Sequence, residues 1–174
     1  HEDPRRQRQM CIRDRLNAAI ELASRRGARR LPLNEFLTGP RQTACAPDEL
    51  VTAVYVPSDA EMGVGGFEKL GARRYLVISI AMTAARLSIA DGRIGDAAIS
   101  VGACAPVAVR LTELEAGLRG MAYDMAGDFI RDSRSGIMAA LSPIDDVRGT
   151  AGYRRDAAAE IVARLVERLC GEFG

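Results

Sequence analysis

A single lysine, Lys69, is the residue of this chain whose type and position best fit a chemical role. Arginine, in contrast, occurs 23 times. Lys69 lies within GFEKLGARR, after two glycines and before an apolar run. A fixed ammonium group can hold an anionic ligand or stabilise negative charge in a bound molecule. Lysine is also the usual exposed surface residue, so its type alone leaves both roles open.

Histidine and cysteine patterns exclude several kinds of catalytic and metal site. The only histidine is His1, at the start of the chain, which excludes a Ser-His or Cys-His nucleophile. The four cysteines, at positions 11, 45, 104 and 170, include no CxxC pair. Zinc and iron–sulfur sites of the usual spacing are therefore excluded. We interpret the thiols as small buried or idle side chains in a reducing compartment, and we predict that Cys104 is buried.

Composition and charge predict one globular domain, or one domain with part of another. The 174 residues are 48% hydrophobic and 27% charged. No apolar run approaches the roughly 20 residues of a membrane span, and no secretory segment is evident, so we predict a cytoplasmic protein. Residues 1–15 carry a net charge of +2 and the remainder −1. A nearly neutral body predicts that nucleic acid is not a partner.

Several apolar segments predict β-strands. They are residues 18–23, 30–33, 50–56, 76–90 and 94–101. The fourth is apolar at nearly every position, so periodicity alone does not separate a buried strand from a buried helix there. Asp91-Gly92 joins the last two segments and favours a tight hairpin, so we predict two long antiparallel strands. Residues 34–37 predict one helical turn, and 38–43 and 58–65 predict loops.

After Pro106 the spacing of apolar residues becomes helical. Leucines at 111, 114 and 118 predict a short helix, and residues 125–141 predict further helical turns interrupted near Ser135-Gly136. The clearest helix has one apolar face, formed by Ala158, Ile161, Val162, Leu165, Val166 and Leu169. Strands followed by helices predict an α+β fold, with a small antiparallel sheet packed with a C-terminal helical bundle.

A charged cluster precedes this last helix and looks catalytic at first. It consists of Asp145, Asp146, Arg148, Tyr153, Arg154 and Arg155. Acidic residues and Thr150 at a helix start are typical caps, and Tyr153-Arg154 would form the first helical turn. We therefore predict a structural or subunit-contact role for the cluster.

Residues 1–15 have no apolar periodicity and are dominated by charge. One interpretation is a disordered basic tail. The other is a non-native segment, because QRQMCIRDR resembles a translated sequencing adapter. Under the second interpretation the native sequence begins at Leu16, in the middle of a longer protein.

Four segments together resemble one protein family. They are LPLNEFLTGPRQTACAPDELVTAVYVP, GFEKLGARRYLVISIAMTAARL, VGACAPVAVRL and SPIDDVRGTAGYRRDAAAEIVARLV. They are similar, in order and over residues 16–169, to the C-terminal part of the FAD-binding (medium) subunit of molybdenum hydroxylases. That family includes carbon monoxide dehydrogenase and xanthine dehydrogenase.

The resemblance implies an oxidoreductase subunit that transfers electrons. In the family, a small subunit carries iron–sulfur clusters and a large subunit carries molybdopterin and hydroxylates the substrate. Electrons pass from the clusters through FAD to NAD, oxygen or another acceptor. The partners implied for this chain are those two subunits, and the substrate would be selected on the large one.

The resemblance also implies which residues contact the flavin. Val51 matches a position on a strand that touches it, and we predict that Val51 is buried in that strand. Phe67 matches an aromatic position beside the isoalloxazine. Lys69 matches a lysine that binds FAD, where a cation stabilises the negative charge of the reduced ring. Arg73 and Arg74 match the loop at the acceptor side of the flavin. No catalytic residue and no metal ligand are implied.

The chain departs from the family in one respect, because residues 1–60 contain no glycine-rich phosphate loop. We therefore predict that FAD is shared with a missing N-terminal half, and that the isolated chain is inactive. Residues 16–58 would be a remnant of the FAD-binding domain, and 59–174 the flavoprotein C-terminal domain. The alternative is a non-enzymatic α+β subunit-interaction module without bound flavin.

Overall fold

The computed structural model describes residues 12, 14–73 and 77–173 and arranges their strands in three antiparallel sheets. The first sheet has the order β2–β1–β5, with β1 at Ala19–Ser24, β2 at Gly27–Pro32 and β5 at Leu50–Tyr55. All three strands fall within two or three residues of the predicted segments. Gly27, at a φ of 129°, permits the tight turn between β1 and β2.

Between β2 and β5, a short helix and a small hairpin cover one side of this sheet. The helix α1 spans Leu33–Phe36, and the hairpin is formed by β3, Leu37–Gly39, and β4, Gln42–Thr43. The sequence predicts only a loop for this hairpin, whose turn places Arg41 in the left-handed region. The buried cluster beneath these elements consists of Ile20, Leu22, Leu33 and Phe36.

The larger sheet has the order β6–β7–β8–β9. Its strands are β6, Val64–Leu70; β7, Ala81–Ala90; β8, Arg93–Gly102; and β9, Val109–Arg110. Asp91 and Gly92 connect β7 to β8 with φ values of 52° and 72°, the backbone of a tight hairpin turn. The predicted hairpin is confirmed.

Two details of this sheet differ from the prediction. The strand expected from residue 76 begins at Ala81, because residues 77–80 form the returning end of a loop and residues 74–76 lie outside the described residues. β6 falls outside the predicted strands, since its sequence VGGFEKL has two glycines and two charges. Its partly buried edge position explains why such a sequence is accepted in the sheet.

Four further helices follow the sheet. They are α2, Thr112–Leu118; α3, Ala126–Asp132; α4, Arg134–Ala139; and α5, Ala151–Cys170. The break between α3 and α4 falls at Ser133, two residues before the predicted interruption. Short 3₁₀ segments occur at Ser58–Glu61, Tyr123–Met125 and Gly171–Phe173. The α+β architecture is confirmed. No helix among these described residues is long and apolar enough to cross a membrane.

The main core lies between the helices and one face of the larger sheet. Its fully buried residues include Leu87, Ile94 and Ile99 from the sheet and Leu118, Ile130, Val162, Leu165 and Leu169 from the helices. Each such side chain stabilises the fold by about 1.5–3 kcal/mol through removal from water. The predicted apolar face of the last helix is thus the face that α5 turns to β6 and β7.

A buried ion pair joins α2 to the same sheet. Glu115, 3% exposed, accepts hydrogen bonds from Nε and Nη2 of Arg110 at 2.8 and 2.9 Å. It also accepts the backbone N–H of Ile99 at 2.7 Å. One carboxylate therefore fixes the start of α2 against both β8 and β9, in the bidentate geometry that makes such pairs strong.

Candidate functional site

Phe67 and Lys69 lie on the same face of β6, because residues two apart in a strand point to the same side. Their cross-strand partners on β7 are Ala84 and Met82, respectively. Phe67 is half-buried and packs against these two side chains. The structure thus brings two of the five predicted site residues together, on the sheet face opposite to α5.

The other face of β6 is held by α5. Leu165 packs directly at Gly66, where an added Cβ would come within 2.6 Å of its Cδ1. Arg168 forms an ion pair with Glu68 at 3.3 Å. Because α5 packs closely against the opposite face of β6, the strand that carries Phe67 and Lys69 is fixed in position.

Lys69 donates a hydrogen bond from Nζ to the backbone oxygen of Val77, at 2.6 Å. This bond joins β6 to the connection between β6 and β7. We call this connection, residues 71–80, the 71–80 loop; residues 71–73 and 77–80 of it are described. An ammonium group has three N–H donors, so the bond to Val77 does not prevent a contact with a ligand. Its role in cofactor binding stays a prediction.

The 71–80 loop is closed at its base. The backbone N–H of Ile80 donates to the oxygen of Leu70 at 2.9 Å, so the two ends of the loop lie side by side. Gly71 allows a close approach, since a Cβ there would lie 2.7 Å from Cγ1 of Val77. Arg73 is exposed within the loop, and Arg74 lies outside the described residues.

Val51 lies on β5, as predicted, but on a different sheet from Phe67 and Lys69. The sequence interpretation expects it to be buried, and this is wrong: Val51 is 51% exposed. The whole of β5 is exposed, and among the described strands it pairs with β1 alone. Whether Val51 contacts a flavin stays a prediction.

Arg154 belongs to the charged cluster described above, and the sequence interpretation missed the burial of its side chain. This side chain is 1% exposed and donates hydrogen bonds to three backbone oxygens, those of Ile80, Ala103 and Ile144. The spacing of Arg154 relative to the apolar residues of α5 was a signal of its burial. Arg154 stands four residues before Ala158 and eight before Val162, on the apolar face of α5.

The rest of the charged cluster has the structural role predicted for it. Oγ1 of Thr150 accepts the backbone N–H of Tyr153, and Oδ1 of Asp145 accepts that of Ala151, so both residues cap α5. Arg148 donates to the carboxylate of Asp146, which lowers the pKa of Asp146 to about 2. Asp146 therefore stays ionised at neutral pH.

Cys104 is buried, as predicted, where β8 ends. Burial raises the pKa of its thiol from 9.0 to about 11. We expect Cys104 in the folded chain to react with iodoacetamide at pH 8 at least about 100-fold more slowly than in urea, since a two-unit shift lowers the thiolate fraction by that factor. Mass spectrometry of the alkylated peptide measures this, and equal rates in both states would contradict the burial.

Comparison with known proteins identifies the family of this chain. A family model described as "CO dehydrogenase flavoprotein C-terminal domain" matches residues 67–169, more than half of the chain. The chain belongs to the FAD-binding subunit family of the molybdenum hydroxylases. A second model, "FAD binding domain in molybdopterin dehydrogenase", matches residues 15–59. The resemblance inferred from the sequence motifs is confirmed.

Individual members of this family match most of the chain. It is 32% identical over 152 residues to the nicotine 6-hydroxylase medium subunit of Paenarthrobacter nicotinovorans, covering 87% of this chain and 52% of that protein. It is 30% identical over 154 residues to the carbon monoxide dehydrogenase medium chain of Afipia carboxidovorans, with 88% and 52% covered. The chain thus spans about half the length of these curated relatives.

The fold agrees with solved members of the family. A chain of the reconstituted CO dehydrogenase from Oligotropha carboxidovorans superposes with a TM-score of 0.83 at 29% identity. The match covers 97% of this chain and 58% of that one. The arrangement of sheets and helices described above is therefore the arrangement found in this part of the family.

Proposed function

We propose that this chain is the C-terminal part of a FAD-binding, electron-transferring medium subunit of a molybdopterin-dependent hydroxylase or dehydrogenase. Residues 16–58 are the end of the FAD-binding domain, and residues 59–174 are the flavoprotein C-terminal domain. The family membership supports this division, since the two matched models meet between residues 59 and 67.

The observation that carries the proposal is the placement of Phe67 and Lys69 on one face of β6, at the base of the 71–80 loop. These two side chains fit a flavin ring. An aromatic side chain packs against a flat conjugated ring, and a fixed cation favours the negative charge of its reduced form. Arg73 adds a positive charge at the rim of the same region. Bound FAD would supply the electron-accepting and electron-donating chemistry.

The residues present fit only one part of FAD. They supply contacts for the ring, whereas no glycine-rich turn of residues 1–60 suits the pyrophosphate.

The exposed surface of β5 also supports a FAD site that is shared between this chain and another part of the protein. Four large apolar side chains of β5 and two on the segment that follows it are open to solvent, with exposed fractions of 38–74%: Leu50, Val51, Val54, Tyr55, Val56 and Met62. Such a patch is typical of a surface that another part of the protein covers. The isolated chain therefore binds FAD weakly and is inactive.

The family membership supports two proposed partners. Both matched relatives are named medium subunits or medium chains, which supports assembly with a small and a large subunit. The small subunit would carry iron–sulfur clusters and the large one molybdopterin. In this assembly the chain would hold one side of the FAD, which would supply the electron transfer between the clusters and NAD, oxygen or another acceptor.

Flavin absorbance of the subunit that contains this chain, expressed with a family N-terminal half, tests the proposal. We expect Lys69→Ala to weaken FAD binding by about 10- to 100-fold, the loss expected for a hydrogen bond to a charged group. Arg168→Ala is the matched control, because it removes a cation from the opposite face of the same strand. Unchanged flavin affinity in Lys69→Ala would remove Lys69 from the site.

A second candidate is a subunit-interaction module that binds no flavin. The hydrogen bond from Lys69 to Val77 favours it, because that bond gives the lysine a structural role without any ligand. The same absorbance experiment separates the two functions. Absence of flavin from the wild-type subunit, with the N-terminal half present and folded, would favour the interaction module.

A further inference from the structure

Arg154 is a charged side chain in the interior of the protein. It begins the buried face of α5 and is 1% exposed. Burying a guanidinium is costly unless its donors are satisfied. Its Nε donates to the oxygen of Ile80 at 3.2 Å, Nη1 donates to the oxygen of Ile144 at 2.8 Å, and Nη2 donates to the oxygen of Ala103. The only carboxylate among its described partners is Asp146, at 3.3 Å.

The three carbonyl groups belong to three separate connections. Ile80 ends the 71–80 loop, Ala103 follows β8, and Ile144 lies in the segment that leads into α5. A guanidinium presents its N–H donors in a rigid planar fork, so the three oxygens must keep fixed positions relative to one another. A lysine at this position could not hold all three in the same geometry.

Backbone strain at one of these connections supports this role. Ala103 has a φ of 65°, a left-handed conformation that costs a residue with a side chain about 1–2 kcal/mol. Such conformations persist where surrounding contacts hold them. The hydrogen bond from Arg154 to the oxygen of Ala103 is such a contact.

The contact at Ile80 reaches the proposed site. The Ile80 oxygen accepts from Arg154, while the Ile80 N–H donates to Leu70, the residue after Lys69. Both backbone groups of Ile80 are therefore fixed, one to α5 and one to β6. Together with the bond between Lys69 and Val77, these contacts hold the returning end of the 71–80 loop against the strand.

We propose that Arg154 is a positioning residue, which holds the 71–80 loop beside β6 and so sets the position of Val77 and Lys69. It touches neither substrate nor cofactor and acts through Ile80. The contacts described above support the positioning of the 71–80 loop by Arg154. Its consequence for a flavin rests on the proposed function.

Amide hydrogen exchange of the full chain tests the effect on the loop. We expect Arg154→Met to raise the exchange rate of residues 77–80 at least 10-fold relative to Ile99, whose N–H is buried in the core. Arg154→Lys, which keeps the charge, should give a smaller increase in the exchange rate of residues 77–80. If the methionine variant does not fold, the lysine variant tests the inference by the same comparison with Ile99. Arg164→Met is the matched control, because Arg164 is an exposed arginine of the same helix. Equal increases at residues 77–80 and Ile99 would overturn the inference.

The reduction potential of the flavin-loaded subunit tests the consequence for the site. We expect Arg154→Lys to shift this potential, whereas Arg164→Met leaves it unchanged. Faster exchange of the loop with an unchanged potential would support the positioning of the loop and contradict the placement of the flavin beside it. A subunit that binds no flavin would contradict the proposed function, and hydrogen exchange would still decide the role of Arg154.

Discussion

Replacing Glu115 by alanine is expected to lower the free energy of unfolding by about 3–5 kcal/mol, the usual cost of breaking a buried ion pair from one side. The change would leave the half-buried guanidinium of Arg110 without its bidentate partner. It would also leave the buried N–H of Ile99 without an acceptor. Urea denaturation, followed by circular dichroism, measures the loss as a lower midpoint at unchanged slope.

Two comparisons make this experiment specific. Glu113→Ala is the control, since Glu113 is an exposed carboxylate of the same helix and should cost less than about 0.5 kcal/mol. The double variant Arg110→Met/Glu115→Leu should lose less stability than Glu115→Leu alone, because it does not leave the guanidinium of Arg110 without its carboxylate partner. A loss below about 1 kcal/mol for Glu115→Ala would show that this pair does not fix α2 to the sheet.

Replacing Gly63 by alanine is expected to lower the free energy of unfolding by about 2–5 kcal/mol, because backbone strain and overpacking add. Gly63 has a φ of 89°, which disfavours any residue with a Cβ. The added Cβ would also lie 2.1 Å from the backbone oxygen of Leu87, so that β6 or β7 must move. Since β6 carries Phe67 and Lys69, the flavin affinity of the complete subunit should fall as well.

Gly152→Ala is the matched control for this variant. Gly152 lies in the first turn of α5, and no atom lies within 4 Å of an added Cβ. The same chemical change there should be neutral or stabilise by up to about 1 kcal/mol. Urea denaturation of the two variants compares them directly. Equal denaturation midpoints for the two variants would contradict the close approach of Gly63 to the backbone of Leu87.

Local signals predicted most of the fold. The hairpin of β7 and β8 follows from Asp91-Gly92, whose backbone only a few residue types adopt easily. The face of α5 follows from apolar spacing, which is strong over twenty residues. The start of β7 could not be predicted in the same way. Residues 77–80 are as apolar as a strand, but the backbone oxygens of Val77 and Ile80 accept hydrogen bonds from side chains elsewhere in the chain, Lys69 and Arg154.

The candidate site was less accessible to sequence reasoning. Family motifs predict Phe67 and Lys69 as flavin contacts, which stay predictions, and the strand alternation places both residues on one face of β6. The exposure of Val51 depends on what lies beside β5, which its own sequence does not show. The sequence predicts Arg154 in the first turn of a helix but does not predict that its side chain is buried. A charged residue on an apolar helix face is the signal that would have identified it.

The position of α5 in the chain has a consequence for protein synthesis. Its residues cover the apolar face of β7, which ends at residue 90, but α5 begins only at residue 151. At about 5–20 residues per second, a ribosome needs about 3–12 s to make the segment between them. During this time Ala85 and Leu87 lack the contacts of α5 that bury them in the finished fold. The nascent chain therefore passes through a stage at which this apolar face is a binding surface for chaperones or for neighbouring nascent chains.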